Sequence, residues 1–474
     1  MRSSRLAHAV RLASLAAFVA PASALAGGFS LNEQCACAMG VANAGMAASS
    51  ENATTVLFNP AGMSQLSGTN ISFGAAYLDI DAEAKSGTYS ATDSLGQSYT
   101  GSGGGDIADP ALLPNIYVTH EVSDSIDVGF GIHAPYGLAA DYDDDFTGRY
   151  FADKTELTVI SFTPAVSVNN GEGLSMGVAL NIMYAEGRLS KYQDLRALAV
   201  GKMGADAATA NYIADNFDTY ADVEGDDIGV TMRVGFQYDL SPATRIGLTA
   251  QTGTELELEG DMEISDFPVA TGNPAAPFTS TTLQEDVTVP LAIPESITVG
   301  ISHQLNDKVT LLAGATYARW SDFEELDIYS REGDSGTISQ TVGRTGDENP
   351  ITHITEKWKN TWQFNVGGVW QVSPVWALKA GYAFDESPVD EYVTARIPSE
   401  DRHWLTLGAQ WKDVSSGWTV DAAIGTLIFN DDAEVNDNEY AHTDPTGNPT
   451  SASNYQGEYE LTAWSASVQI SKAF

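Results

Sequence analysis

Basic residues are scarce in this chain. Its 23 Lys and Arg stand against 63 Asp and Glu, a formal net charge of −40. That balance excludes nucleic acid as a partner, because affinity for nucleic acid comes from neutralising phosphates with Lys and Arg. The acid gathers in turn-like stretches such as Asp141–Asp145 and Asn430–Glu439, which read as solvated loops. Divalent cations can bridge carboxylates of this kind, yet Asp141-x-Asp143-x-Asp145 lacks the following Gly and the distal Glu of a calcium loop. Cysteine is nearly absent. Cys35 and Cys37 are the only two; this close together they make a strained ring, so an ordinary structural bridge is not expected. No set of four Cys or His stands nearby at metal spacing, and the two read as small buried packing residues, with a redox role as the alternative. His120, His133, His303, His353, His403 and His442 are scattered without metal or triad spacing. No metal site and no cofactor are expected.

Long apolar runs are missing too. Residues 1–26 carry Arg2, Arg5 and Arg11 around the apolar stretch Leu12–Ala20 and end in Ala24-Leu25-Ala26, the form of a secretory signal peptide cleaved before Gly27. That stretch is too short for a transmembrane helix, and no later one is long and apolar enough. The leader holds basic residues and no acid, so the exported chain is more acidic still.

Regular alternation dominates the rest. Val230, Met232, Val234, Phe236, Tyr238 and Leu240 form one face, and Thr231, Arg233, Gly235, Gln237 and Asp239 the other. Segments of about ten such residues recur as hairpins with short turns at one end and long acidic or Gly/Pro-rich loops at the other, the asymmetry of an outer-membrane barrel. About fourteen strands are predicted. Trp320, Trp358, Trp362, Trp376, Trp404, Trp411 and Trp418 fall near strand ends and read as interfacial girdles. The last segment alternates from Trp464 to Phe474, a terminal residue typical of bacterial outer-membrane barrels and suited to the barrel-assembly machinery. Strands that meet lipid must close, because open edges cannot be satisfied in hydrocarbon. The fold class is therefore all-β, a transmembrane antiparallel β-barrel in the outer membrane of a Gram-negative bacterium. Its surroundings are outer-membrane lipid and lipopolysaccharide, and a monomer is expected.

Two regions do not alternate. Residues 27–66 are rich in small residues and close on Asn59-Pro60-Ala61-Gly62; they read as a hatch, or plug, inside the barrel formed by 67–474. Residues 193–222 are Ala-rich and helix-favouring, either a cap over the barrel or a greasy surface for an apolar ligand. Gly173-Leu174-Ser175-Met176-Gly177 matches a nucleophile-elbow pattern, which needs a strand–elbow–helix context. Here it opens an alternating strand, so no catalytic residue is assigned and an enzyme such as a barrel phospholipase is set aside. A general porin is the other rival, opposed by the hatch.

The segments GGFSLNE, NPAG at Asn59–Gly62, Ile293–Leu326, FDESPV at Phe384–Val389 and Ile397–Trp411, in that order, resemble the FadL family of outer-membrane transporters for long-chain fatty acids and other hydrophobic compounds. The resemblance implies a fourteen-stranded barrel blocked by an N-terminal hatch. It also implies capture of ligand between outer loops, a deeper pocket touched by the N-terminus, and passive sideways release at a kinked third strand. Aromatic or alkane hydrocarbons are the alternative cargo. The residues fit this scheme. Gly129 and Gly131 face inward on the third strand and weaken it, and Pro135 ends its donor ladder. Asn59, Pro60 and Ala61 are expected to pack against that glycine side and occupy the lateral gap, and Phe29 is expected in the ligand pocket. Lys359 matches by position a basic residue that the resemblance places at the deep pocket, with Arg188 and Lys191 as weaker candidates for a carboxylate partner. A carboxylate buried in an apolar pocket needs such a partner or it neutralises.

Overall fold

The computed structural model describes residues 27–443 and 447–474; the leader at 1–26 lies outside the described residues. Fourteen antiparallel strands close into a barrel. They are β1 Thr69–Ala84, β2 Ala111–Ser123, β3 Ile126–Asp141, β4 Lys154–Asn169, β5 Leu174–Tyr192, β6 Tyr220–Ser241 and β7 Thr244–Gln251. β8 Ser296–Asn306, β9 Val309–Ala318, β10 Thr361–Ser373, β11 Trp376–Asp385, β12 Arg402–Asp413, β13 Trp418–Phe429 and β14 Asn454–Ala473 follow. β1 and β14 pair from Asn70 with Ala473 to Ala84 with Tyr459, which leaves the ring no edge. β7 pairs directly with β8. Between them the hairpin Thr254–Asn273/Ala276–Ile293 rises clear of the ring and pairs with the upper part of β6. Sequence periodicity alone does not separate that hairpin from the wall strands, because it alternates just as they do.

Alternation sorts the side chains as expected. On β6, Val230, Met232, Phe236, Tyr238 and Leu240 face outward and are exposed, while Thr231 and Gln237 are buried inside. The aromatic girdle is smaller than predicted. Trp362, Trp376 and Trp418 are exposed on the outer wall, but Trp320, Trp358 and Trp404 are buried. Trp320 and Trp358 belong to the loop between β9 and β10, which folds inward over the barrel mouth and takes its aromatic residues with it.

Residues 27–66 pack against the inner wall through short turns, Ala36–Met39, Thr55–Phe58 and Pro60–Gln65. Cys35 and Cys37 are joined in a disulfide, contrary to the expectation of free packing residues. Ala36, the residue between them, opens the first helical turn, and its helical backbone brings the two Cα atoms to 5.2 Å, within disulfide range. What admits the hatch is a band of inward glycines. A Cβ on Gly177 would run into Pro60, one on Gly235 into Asn59, one on Gly247 into Ala47 and one on Gly381 into Val41. Several stand opposite each other across neighbouring strands: Gly177 with Gly235, Gly247 with Gly300, Gly300 with Gly314, and Gly367 with Gly381.

One ionic contact ties the hatch to the wall. The Lys379 ammonium lies 2.7 Å from Glu51 and 3.1 Å from Asp421, and donates to the Cys37 carbonyl at 3.1 Å. Gln410 donates to both carboxylates. Removing one partner of a buried pair strands the others and costs about 3–5 kcal/mol. Lys379→Ala is therefore expected to loosen the hatch while the closed barrel persists. In planar bilayers it should show frequent ion-conducting openings that the wild type lacks, with an unchanged heat-modifiable band on gels.

Candidate functional site

The third strand is broken where the sequence places Pro135. β2 and β3 pair from Ser123 with Ile126 to Ile116 with Ile132 and no further. The register of β3 against β4 then shifts between His133 and Tyr136. Up to that point the outward residues Ile126, Val128 and Phe130 are exposed; beyond it nearly every residue to Asp141 is buried. The upper half of β3 thus parts from β2 while staying paired with β4 from Tyr136 to Asp141, and leaves a slot beside Ala111–Asn115 of β2.

The hatch supplies the missing neighbour. Ser30 bridges Tyr136 as an added antiparallel strand. Gly137 donates to the Phe29 carbonyl at 2.9 Å, and Leu31 donates to the Pro135 carbonyl at 3.0 Å. Gln34 closes the last acceptor by donating to the Ala134 carbonyl at 2.6 Å. A buried strand edge must find such partners.

Two cavities meet at this junction. One, about 210 Å³ in volume, lies in the lumen between hatch and wall; Gln34, His133, Tyr136, Asn181, Arg233 and Gln251 make it polar. The other, above it, is apolar and narrow, about 50 Å³, walled by Leu138, Leu157, Leu189, Leu258, Leu291, Phe323, Leu326 and Phe29. Phe29 stands at the boundary. Its ring centre lies 4.7 Å from that of Trp320, 5.8 Å from Tyr136 and 5.9 Å from both Phe323 and Trp358. The helical insertion does two things. Its turns Arg196–Gly201 and Ala207–Asn216 bury Ala199 and Ile213, and leave Val200, Met203 and Tyr212 exposed at the outer surface.

The expected residues fall in different places. Phe29 lines the apolar cavity, as does Arg188. Asn59, Pro60 and Ala61 do not reach β3. The Asn59 amide donates to the carbonyls of Ala47 at 2.6 Å and Phe236 at 3.0 Å, and Pro60 and Ala61 lie against Gly177, so the corner docks on β5 and β6. Gly129 faces the hatch through Met63 and Val56, and Gly131 faces Tyr117. The slot lies above both glycines, where β2 pairing ends. Lys359 lies outside the cavity, on the outer rim; it is half-exposed, 3.8 Å from Asp390. Arg188 donates to Asp222 through Nε at 2.9 Å and Nη2 at 2.6 Å, with Glu224 at 3.4 Å. Lys191 stands farther out near Asp437, Glu439 and Arg396. Sequence reasoning missed Tyr136, Trp320, Phe323 and Trp358. The stretch RWSDFEEL carries three aromatic and apolar positions, Trp320, Phe323 and Leu326, at even spacing, but nothing in it says that the loop folds inward.

A buried carboxyl sits in the same outer-loop layer. Burial pushes Glu356 up to about 8, helped by Asp437 and opposed by the Trp358 indole N–H, 2.8 Å away, and by Arg396. Burial likewise raises Asp437 to about 6, against a backbone hydrogen bond from Ala395 and the charges of Arg396 and Lys191. A carboxyl raised on folding holds its proton more tightly in the folded state. Its contribution is most favourable at low pH and is lost as pH rises through about 6 for Asp437 and about 8 for Glu356. Protection of outer-loop amides, corrected for the base-catalysed rise of intrinsic exchange, is therefore expected to fall between pH 6 and pH 8.5. Glu356→Gln should flatten the part of that profile above pH 7; an unchanged profile would show that Glu356 is not the titrating group.

The chain matches the family described as "Outer membrane protein transport protein (OMPP1/FadL/TodX)" over residues 17–474. It is 30% identical over 429 residues to an outer membrane protein of Neisseria meningitidis serogroup B, covering 87% of this chain and 88% of that one. It is 27% identical over 487 residues to the long-chain fatty acid transport protein of Escherichia coli K12, covering 99% and 98%. Its fold superposes on the crystal structure of a Pseudomonas aeruginosa FadL homologue with a TM-score of 0.78, at 21% identity over 94% of this chain and 100% of that one.

Proposed function

This chain belongs to the FadL/TodX family of outer-membrane transport proteins, and we propose that it admits long-chain fatty acids or similar apolar molecules passively and releases them sideways into the bilayer. The observation that carries this reading is the junction at β3. An apolar cavity, a hatch residue that walls it, and a break in the barrel wall meet within one hydrogen-bonded strand pair. Ligand captured on the exposed Val200–Met203–Tyr212 surface passes to the cavity beside Phe29. Filling a cavity of about 50 Å³ with an alkyl chain requires its walls to move. Phe29 is the wall residue that belongs to the hatch, so its displacement withdraws residues 29–31 from the edge of β3 and opens the slot. Sideways exit is also the cheap direction. Each buried methylene is worth about 0.8 kcal/mol, so a long tail dropped into periplasmic water loses on the order of 10 kcal/mol.

The cavity favours a second reading of the cargo. Its one lining cation, Arg188, is already engaged by Asp222 and Glu224, and uncharged hydrocarbons need no such partner. Arg188→Leu separates the two. If a fatty-acid carboxylate exchanges with Asp222 on Arg188, losing that charged hydrogen bond costs about 1.5–3 kcal/mol, roughly 10- to 150-fold in affinity, and leaves toluene binding intact. Equal affinity of wild type and variant for oleate would assign the cavity to hydrocarbons.

The exit is tested by locking the strand pair. In Ser30→Cys/Tyr136→Cys the two thiols face each other across the bridge between hatch and β3. Cells carrying the oxidised protein are expected to lose uptake of labelled oleate, with recovery on reduction. Single variants treated identically should transport throughout. Normal uptake through the oxidised double variant would rule out release at β3.

A further inference from the structure

We propose that the outer loops carry a divalent transition-metal site formed by Glu325, Asp327, His353 and His442. The donor atoms of these four side chains lie within 4.8 Å of one another. Asp327 Oδ1 is 2.6 Å from His353 Nδ1, and Asp327 Oδ2 is 2.8 Å from His442 Nδ1. Glu325 Oε2 completes the group at 4.0 Å from His353 and 3.6 Å from His442. A tetrahedral Zn²⁺ with bonds of about 2.0–2.2 Å holds its ligands roughly 3.3 Å apart. The observed spacings of 2.6, 2.8, 3.6 and 4.0 Å straddle that value, and small side-chain rotations reconcile them.

Two further observations point to an ion. His442 Nδ1 is buried and has no hydrogen-bond partner, although it stands against a carboxylate oxygen; the approach is not aligned for a hydrogen bond. The second concerns the outer side of the cluster. His353 is held through its other nitrogen, with Nε2 2.8 Å from Thr355 Oγ1, and Asp327 accepts from the Tyr329 hydroxyl at 3.1 Å. Such contacts orient imidazole and carboxylate ligands around a metal. The Asp327 side chain is only 2% exposed, so its charge requires compensation. Two imidazoles with two carboxylates and no thiolate suit Zn²⁺ or its neighbours, whereas Ca²⁺ and Mg²⁺ take oxygen shells.

The position gives the site a consequence. Glu325 and Asp327 alternate with Leu326 and Ile328 on a stretch bridged to residues 352–355, and Leu326 and Phe323 roof the apolar cavity. His442 comes from a different loop, between β13 and β14. A bound ion therefore cross-links two outer loops and fixes that roof. The metal site stands apart from the transport reading; only the meaning of the roof rests on it.

The test uses the full mature chain, free of any histidine tag, in mild detergent, stripped with a chelator and desalted. Zn²⁺ titrated by calorimetry at pH 7.5 is expected to bind one ion per chain, and Co²⁺ to develop the visible absorption of a tetrahedral site. His353→Ala and His442→Ala should each weaken Zn²⁺ at least roughly 100-fold while keeping the heat-modifiable barrel, and excess Ca²⁺ should not compete. Absence of saturable Zn²⁺ binding, unchanged binding in the double His variant, or displacement by Ca²⁺ would overturn the site. Zn²⁺ should also slow protease cleavage in the β9–β10 loop of wild type but not of His442→Ala. Binding without that protection would overturn the cross-link.

Discussion

The structure depends on how closely the hatch backbone approaches the inner wall. A fourteen-stranded ring encloses a lumen that side chains of the wall do not fill, and here a folded segment of the same chain fills it. The match is made by removing side chains where the two backbones meet. Gly247 faces Gly300 and Gly300 faces Gly314 across neighbouring strands, and Ala47 and Gly45 lie against that row. A methyl group on Gly247 or Gly381 would collide with hatch backbone, which does not yield as a flexible side chain would. Polar contacts then seat the hatch, with Arg233 donating to the Leu57 carbonyl, Gln237 to that of Ala47 and Asn365 to that of Ala42. Lys379 links Glu51 of the hatch to Asp421 of β13, and Asn59 ties Ala47 to Phe236 of β6. Each satisfies groups that would otherwise be buried without partners.

With the hatch held at its middle and end, its beginning is left to act on β3. Pro135 cannot donate, and the register shift around it turns the upper half of the strand away from β2. A wall strand that loses its neighbour exposes a row of backbone donors and acceptors, which residues 29–31 and Gln34 satisfy. The slot is therefore closed by a short segment whose hydrogen bonds are independent of the anchors at Glu51 and Asn59. On the proposed mechanism, that separation would let the N-terminus move while the rest of the hatch stays in place.

Much of this was legible in the sequence because β structure writes itself in alternation. Closure and the direction of the loops follow from period and turn chemistry, whereas the hairpin Thr254–Asn273/Ala276–Ile293 alternates like the wall without belonging to it. Side chains that meet through loop folding do not. Trp320 and Trp358 have the spacing of girdle residues, and their burial depends on a loop path that no period records. His353 and His442 are 89 positions apart and come together only because two loops cross. Asn59-Pro60-Ala61 is readable as a rigid corner, but no local pattern says that it meets Gly177 and Gly235 rather than β3. Gly129 and Gly131 announced close packing, yet glycine marks an approach without naming what approaches. The separation of Cys35 and Cys37 in sequence says nothing of their pairing, because the helical backbone of Ala36 between them decides their distance.

Magnitudes decide whether ligand entry can open the slot. The closing segment makes two backbone hydrogen bonds to β3 and one through Gln34. Each contributes about 0.5–1.5 kcal/mol net, so parting the strand pair costs roughly 3 kcal/mol. Displacing Phe29 from its aromatic neighbours adds about 1.5–3 kcal/mol for the lost burial of one large side chain. Against this, transferring about eight methylenes from water into the cavity gains roughly 6 kcal/mol. The two sides balance at a chain length of about eight carbons. Shorter alkyl chains lack the energy to drive the opening by burial alone, whereas long ones exceed it and need no other source. A compact aromatic molecule buries less area than a long chain. On the proposed route it would have to replace the Phe29 ring among Trp320, Phe323 and Trp358, recovering by stacking what it does not gain by length.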